Sequence, residues 1–240
     1  MIDVLVPVLN RPHNAQPLYD SFQRTAPEGA TLTFLCSHGD VAQIKACYET
    51  DAATFIVDWP AGRADYAMKN NYGVTVTSNP YVLNGSDDIE FVDGWAEQAL
   101  SMIGGNTMVV ATNDDLNGQV KAGLFGTHCL VSRQYILEQG ATADGTPGVF
   151  LHEGYDHNFV DRELCSVAQR RRAYAFARHS IIRHRHPLFK TARWDATYRK
   201  SLARFREDRD LYISRASLYG KAGLTGPERN IARRRDIVRR

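Results

Sequence analysis

Tyr81-Val82-Leu83-Asn84-Gly85-Ser86-Asp87-Asp88-Ile89 joins a short apolar run to two adjacent carboxylates. A run of this length, rich in β-branched and aromatic residues and closed by Gly-Ser, reads as a strand. Asp87 and Asp88 then stand at its C-terminal end, the edge of an open α/β sheet where ligands bind. Two neighbouring carboxylates repel each other, and a divalent cation such as Mg²⁺ or Mn²⁺ relieves the repulsion while bridging to phosphate oxygens. An isolated Asp-Asp also serves as an acidic turn capping the next helix, so the surroundings decide between the two uses.

Those surroundings alternate short apolar runs with polar helical stretches, as a mostly parallel sheet with crossover helices requires. Strands are expected at 3–8, 31–36, 53–57, 81–84, 107–112 and 124–131. Helices are expected at 13–24, behind Pro12; at 41–50, behind Asp40 as N-cap; and at 64–77 and 92–102. After Pro147 the pattern changes to a long helix at 157–172, a His/Arg-rich strand at 175–186 and a helix from 194 to about 212. The stretch 229–240 reads as a peripheral helix or a disordered tail. The 240 residues, 43% hydrophobic, suffice for one sizeable core and are short for two. An α/β domain over 1–190 with a basic helical extension over 191–240 is the expected organisation.

Residues 1–168 carry 8 Lys+Arg and 21 Asp+Glu, a net −13, whereas 169–240 carry 21 and 6, a net +15. A basic third of this kind attracts nucleic acid, an anionic surface or a phosphorylated substrate, or it packs on the acidic part and is neutralised there. No apolar run reaches the ~20 residues of a membrane span. The N-terminal run 2–9 is broken by Asp3 and Pro7 and has no basic residue before it, so neither a span nor a signal peptide is expected. Cys36, Cys47, Cys129 and Cys165 show no C-x-x-C spacing, which fits reduced thiols in a cytoplasm. Neither G-x-G-x-x-G nor G-x-x-x-x-G-K-[ST] occurs, nor G-x-S-x-G, nor H-E-x-x-H, which weakens dehydrogenase, P-loop, α/β-hydrolase and zinc-protease readings. Trp59, Trp95 and Trp194 read first as packing residues, with Trp59 also on a loop where it can stack on a ligand.

Five segments in order carry a more specific signal. They are Ile2-Asp3-Val4-Leu5-Val6-Pro7-Val8-Leu9-Asn10-Arg11-Pro12, Lys69-Asn70-Asn71-Tyr72-Gly73-Val74, the Tyr81–Ile89 stretch, Gly126-Thr127-His128-Cys129-Leu130-Val131-Ser132-Arg133, and Asp161-Arg162-Glu163-Leu164 running into Gln169-Arg170-Arg171-Arg172-Ala173-Tyr174. Over about residues 1–190 this order resembles the GT-A fold glycosyltransferases, specifically the inverting family 2 of nucleotide-sugar transferases. The segments are similar to that family's opening Pro-Thr-Tyr-Asn-Arg strand, its Ala-Arg-Asn-x-Gly-Ile helix, its Asp-x-Asp strand, its Gly-to-Arg strand bordering the acceptor, and its Glu-Asp-x-Asp-Leu helix. The resemblance implies a UDP-sugar or other nucleotide-sugar donor, with Pro7, Val8, Asn10, Arg11, Lys69, Asn71 and Asp87 on the donor side. It also implies a Mn²⁺ or Mg²⁺ ion at Asp88. The chain departs from the pattern in three places. Cys36-Ser37-His38-Gly39-Asp40 stands for the Asp-Asp-Gly-Ser that holds the nucleobase, Ser86 for the first acid of Asp-x-Asp, and Val160 for the Glu of Glu-Asp.

A metal held by one carboxylate needs a further ligand, and His184-Arg185-His186 supplies imidazoles at a place where the resemblance implies one. Alternate strand positions share a face, so both rings point one way and Arg185 the other; His186, beside Pro187, is favoured over His184. Inverting transfer also needs a carboxylate that takes the acceptor proton. Asp161 matches the family position. Asp156 is the alternative, since a helix N-terminal turn keeps a carboxylate ionised. Glu153 and Glu163 read as a solvated helix start. The acceptor is a glycan, a protein or a modified DNA base. Two other readings are a nucleotidyltransferase of the same fold class, which expects a glycine-rich basic loop that 8–12 lacks, and a nucleic-acid binding module acting through the basic third.

Overall fold

In the computed structural model, which describes residues 1–219, strand β1 (Ile2–Val8) is buried on both faces. That is the condition of a central strand in a parallel sheet and explains its near-continuous apolar run. It pairs in parallel with β2 (Thr31–Ser37) on one side and β4 (Tyr81–Asn84) on the other, and β2 pairs in parallel with β3 (Ala53–Val57). Helices α1 (Ala15–Thr25), α2 (Val41–Tyr48) and α3 (Asp65–Val76) make the crossovers. Beyond β4 and the short strand β5 (Ile89–Phe91) come α4 (Trp95–Leu100), β6 (Val109–Asn113), α5 (Gly118–Lys121), β7 (Cys129–Ser132), α6 (Arg133–Gln139), α7 (Val160–Arg170) and β8 (Tyr174–His184). The eight strands form one sheet in the order β3-β2-β1-β4-β7-β6-β8-β5. β7 is antiparallel to both β4 and β6, β8 is parallel to β6, and β8 continues past it to pair antiparallel with β5. Chain order reverses between β1 and β4, so a crevice opens at their C-terminal ends.

Alternation divides the core between two faces. Leu5, Leu35, Val82, Val109 and Val131 pack on the side of α3 and α7, while Val4, Val6, Phe34, Leu83 and Leu130 pack on the side of α1 and α4. Gly73 lets α3 lie on the sheet, since a Cβ there would sit 2.8 Å from Leu5 Cδ1.

Several boundaries differ from expectation. The strand expected at 124–131 begins only at Cys129, because the chain first crosses against β6 at Gly126, where a Cβ would lie 2.7 Å from that of Ala111. The helix expected from 92 begins at Trp95, after Gly94 at φ 80°, and residues 89–91 form β5 instead. The helix expected from 194 is divided into α8 (Ala196–Ala203), α9 (Phe205–Ser214) and α10 (Ala216–Tyr219), with Arg204 at φ −104°, ψ 10° interrupting the first two. The stretch expected at 229–240 lies outside the described residues. Among the described residues no helix is long and apolar enough to cross a membrane.

Candidate active site

A cleft of about 310 Å³ lies over the ends of β1 and β4. Pro7, Val8 and Arg11 form part of its floor, Asp87 and Asp88 its centre, and Asp156, Asp161, His184, His186 and Tyr198 part of its walls.

Asp88 is held by several side chains at once. Its Oδ1 accepts the Ser86 hydroxyl proton at 2.6 Å and lies 3.3 Å from His184 Nε2; its Oδ2 accepts the Tyr198 hydroxyl proton at 2.8 Å. The sheet register produces the histidine contact, since Ile89 on β5 stands opposite His184 on β8. Burial opposes ionisation of Asp88, but His184, Ser86 and Arg11 together hold its carboxyl well below the usual range. Burial likewise opposes charging of His184, and the neighbouring Asp88 raises it. Behind Ser86 lies His128, 3.0 Å from the hydroxyl through Nε2. Burial pushes His128 down to about 3, so the ring is neutral. Because the one Ser86 proton goes to Asp88, the hydrogen-bond pattern assigns the His128 proton to Nε2, donating to Ser86 Oγ.

Arg11 ties the site together. Its Nη1 is 3.0 Å from Asp87 Oδ1 and 3.5 Å from Asp88 Oδ2, and its Nε and Nη2 grip Asp195 in a two-point ion pair at 2.8 and 3.2 Å. The guanidinium lies 3.7 Å from the centroid of the Tyr198 ring. Burial and the charge of Asp88 push the Asp87 carboxyl upward, and Arg11 opposes them.

The other expected donor-side residues are placed differently from one another. Lys69 is fully buried beneath the cleft, its ammonium bound to Val8 O (2.8 Å), Ser37 Oγ (2.7 Å) and Asp65 Oδ2 (2.7 Å). Asn10, at φ 54°, donates its backbone N–H to Asp40 and is not on the cleft wall. Asn71 faces the segment 150–153, where Oδ1 accepts the N–H groups of Phe150 and Leu151 and Nδ2 donates to Leu151 O and Glu153. Of the two histidines, His184 is the one beside Asp88. His186 lines the same cleft, but its Nδ1 accepts the Leu188 N–H and its ring packs edge-on to Tyr198 at 4.7 Å.

Both candidate bases line the cleft. Asp161 is in the first turn of α7, and burial raises its carboxyl while the Arg162 charge and N–H oppose the rise. Asp156 lies in the preceding turn, 3.9 Å from Arg204 Nη1. Glu163 is instead 1% exposed and bound to Arg215 and Tyr155. Trp59 packs edge-on to Tyr72 away from the cleft, and Trp95 is in the core. Arg133, just after β7, lies at the end of the strands opposite the cleft, bound to Asp3 near the start of β1. Sequence reasoning passed over Asp195 and Tyr198. Asp195 caps α8 locally, but the partners that tie the two residues to the cleft, Arg11 and Asp88, stand more than a hundred residues away.

An ion between Asp88 and His184 suits the donors present. One carboxylate oxygen and one imidazole nitrogen 3.3 Å apart match two neighbouring ligands each about 2.1 Å from a single cation. Among the described residues no group of three or more His, Cys, Asp or Glu side chains is arranged to hold a metal, so phosphate oxygens and water must complete any coordination.

No protein-family model matches the chain, and no curated protein matches it in sequence. Solved structures do. A mannosyltransferase from Pyrobaculum calidifontis, in complex with GDP-Man and Mn²⁺, superposes with a TM-score of 0.62 at 14% identity over 92% of this chain and 65% of its own. Glucosyl-3-phosphoglycerate synthase from Mycobacterium tuberculosis, with Mn²⁺, UDP-Glc and phosphoglyceric acid, gives 0.60 at 13% identity over 90% of this chain and 80% of its own. S. aureus TarS 1-349 gives 0.55 at 10% identity over 75% and 59%. The chain thus spans just under two thirds of the mannosyltransferase's length. In strand order, in the crevice beside β1 and β4 and in these superpositions, the chain has a GT-A-like α/β fold.

Proposed function

We propose that the protein is an inverting glycosyltransferase that moves a sugar from a nucleoside-diphosphate donor to an acceptor hydroxyl. The observation that carries this reading is the Asp88–His184 pair, an oxygen and a nitrogen donor 3.3 Å apart at the end of β4, in one cleft with the carboxyl of Asp161. Asp88 and His184 would hold a Mn²⁺ or Mg²⁺ ion, which would supply positive charge to a departing diphosphate. Pro7 and Val8 give the nucleotide a floor, and Arg11 with Asp87 borders the diphosphate. Asp161 takes the acceptor proton as the acceptor oxygen bonds to the anomeric carbon and the bond to the diphosphate oxygen breaks, its electron pair leaving with the diphosphate. Burial, by raising Asp161, makes it a stronger base than an exposed aspartate.

The acceptor is a hydroxyl of a glycan or a protein in preference to DNA. Several cations of the basic third face carboxylates of this chain: Arg204 faces Asp156 and Glu207, Arg209 faces Asp210, and Arg215 faces Asp144 and Glu163. Thermal denaturation with a panel of UDP-, GDP- and other nucleotide sugars, with Mn²⁺ and with chelator, tests the reading. The cognate donor at a hundred times its Kd adds about 2.7 kcal/mol, and only when the ion is present. If no nucleotide shifts the transition under either condition, the proposal is wrong.

A further inference from the structure

The segment that presents Asp161 has little regular structure of its own. Residues 156–158 form a turn, Phe159 follows at φ 67°, and α7 begins at Val160. A left-handed backbone at a bulky aromatic residue persists only where its surroundings hold it. Those surroundings are α9. The Asp208 carboxylate, 1% exposed, accepts the backbone N–H of Asp156 at 2.7 Å, of His157 at 3.0 Å and of Asn158 at 2.7 Å. It also lies 3.3 Å from the Asn158 side-chain nitrogen, which donates to Ser201 O on α8 at 2.8 Å. The Phe159 ring packs against Phe205 and Tyr212, both on α9, with centroids 5.1 and 5.5 Å away. Three successive N–H groups converging on one anion make a nest, and here a carboxylate of the same chain fills it.

We propose that Asp208 is a positioning residue for the transfer, locking the 156–158 turn so that Asp161, at the start of α7, meets the acceptor hydroxyl. This rests on the transferase reading above. Asp208 is not on the cleft wall and touches neither substrate; it acts through the backbone of the turn. The C-terminal helices are then a working part of the active site. Asparagine at this position keeps the shape but loses the charge and exchanges one accepting oxygen for a donor, so it cannot receive all three N–H groups equally.

The test compares Asp208→Asn and Asn158→Ala with the unaltered full-length chain. Amide hydrogen exchange reads the turn, titration of a nucleoside diphosphate with Mn²⁺ counts competent donor sites, and steady-state kinetics give kcat and donor KM. For Asp208→Asn we expect faster exchange at 156–158 with donor affinity and site number retained. Turnover per competent site should fall about 100-fold, the scale of a 1 Å misplacement, with donor KM unchanged. Asn158→Ala should shift exchange and kcat the same way by less. Unchanged exchange at the turn, or a loosened turn with full turnover per competent site, overturns the proposal. Should Asp208→Asn yield no competent sites, Asn158→Ala decides by the same criteria. Wild-type protein inactive with every donor overturns the transferase reading itself, which a loss confined to the variants does not.

Discussion

Asp87 and Asp88 are neighbours in the chain with different engagements: Asp87 faces Arg11, and Asp88 faces Ser86, His184 and Tyr198. Serine at position 86, where the resembled family carries an acid, leaves the cluster with one fewer negative charge and gives Asp88 Oδ1 a donor. We therefore expect Asp88→Asn to abolish the difference in nucleotide affinity between Mn²⁺ and chelator, measured by calorimetry. His184→Gln should weaken Mn²⁺-dependent binding more than His186→Gln does, because only His184 lies beside Asp88; equal losses would point to both imidazoles. Asp161→Asn keeps size and cannot take the acceptor proton, so turnover should fall about 10²- to 10⁴-fold with donor affinity nearly unchanged. If Asp156→Asn is dead and Asp161→Asn is active, the base is Asp156.

Among the elements, α7 bears the clearest load. Arg215, just beyond α9, pairs at 2.8 Å with Glu163 on α7 and at 2.8 Å with Asp144. Burial opposes ionisation of Glu163, and Arg215 and Tyr155 hold its carboxyl low despite it; Asp144 is held low first by its Arg215 hydrogen bonds. Both carboxyls thus titrate below their unfolded values of about 4. Their stabilisation is fully present above that pH and is lost as pH falls through the lowered folded values. Arg215→Met leaves Glu163 buried without its counter-ion, a cost of about 3 kcal/mol at neutral pH, the lower end for a broken buried pair because Tyr155 and the Ala143 N–H still donate to it. With Arg215 gone, burial raises the Glu163 carboxyl, so in urea denaturation the gap between variant and wild type should begin to narrow above about pH 4 and close further as pH falls through the lowered wild-type values; a gap independent of pH would contradict this pairing. The early elements were readable because each carries its own signal. Pro12, Asp40 and the β-branched run at 3–8 announce a helix start, a cap and a strand within a few residues. The cut at Gly126 was not readable, since only the neighbouring strand β6 makes a Cβ there too close.

At the scale of the molecule, Arg11 joins the first strand to the C-terminal helices. Its guanidinium connects Asp87, at the end of β4, with Asp195, the N-cap of α8. Arg11→Met should destabilise by about 3 kcal/mol, the lower end for a broken buried pair because Asp195 is partly exposed. It should also weaken nucleotide binding, so calorimetric unfolding and nucleotide titration report the same residue. A variant of wild-type stability would show that α8 docks without this ion pair. The +15 balance after Ala168 is correspondingly less free than its sum suggests, because some of its cations close onto the acidic part of the fold.

The sequence by itself determined the α/β class and the strand that leads into Asp87-Asp88, because each rests on periodicity or a turn within about a dozen residues; Asp161 was singled out by the family resemblance alone. Tertiary structure alone decided which histidine stands beside Asp88, that Lys69 is spent under the floor of the cleft, and that Asp195 and Tyr198 bind Arg11 and Asp88. The physical reason is range. Alternation places His184 and His186 on one side of a strand equally well, and only the pairing register of β8 with β5 brings one of them to Asp88.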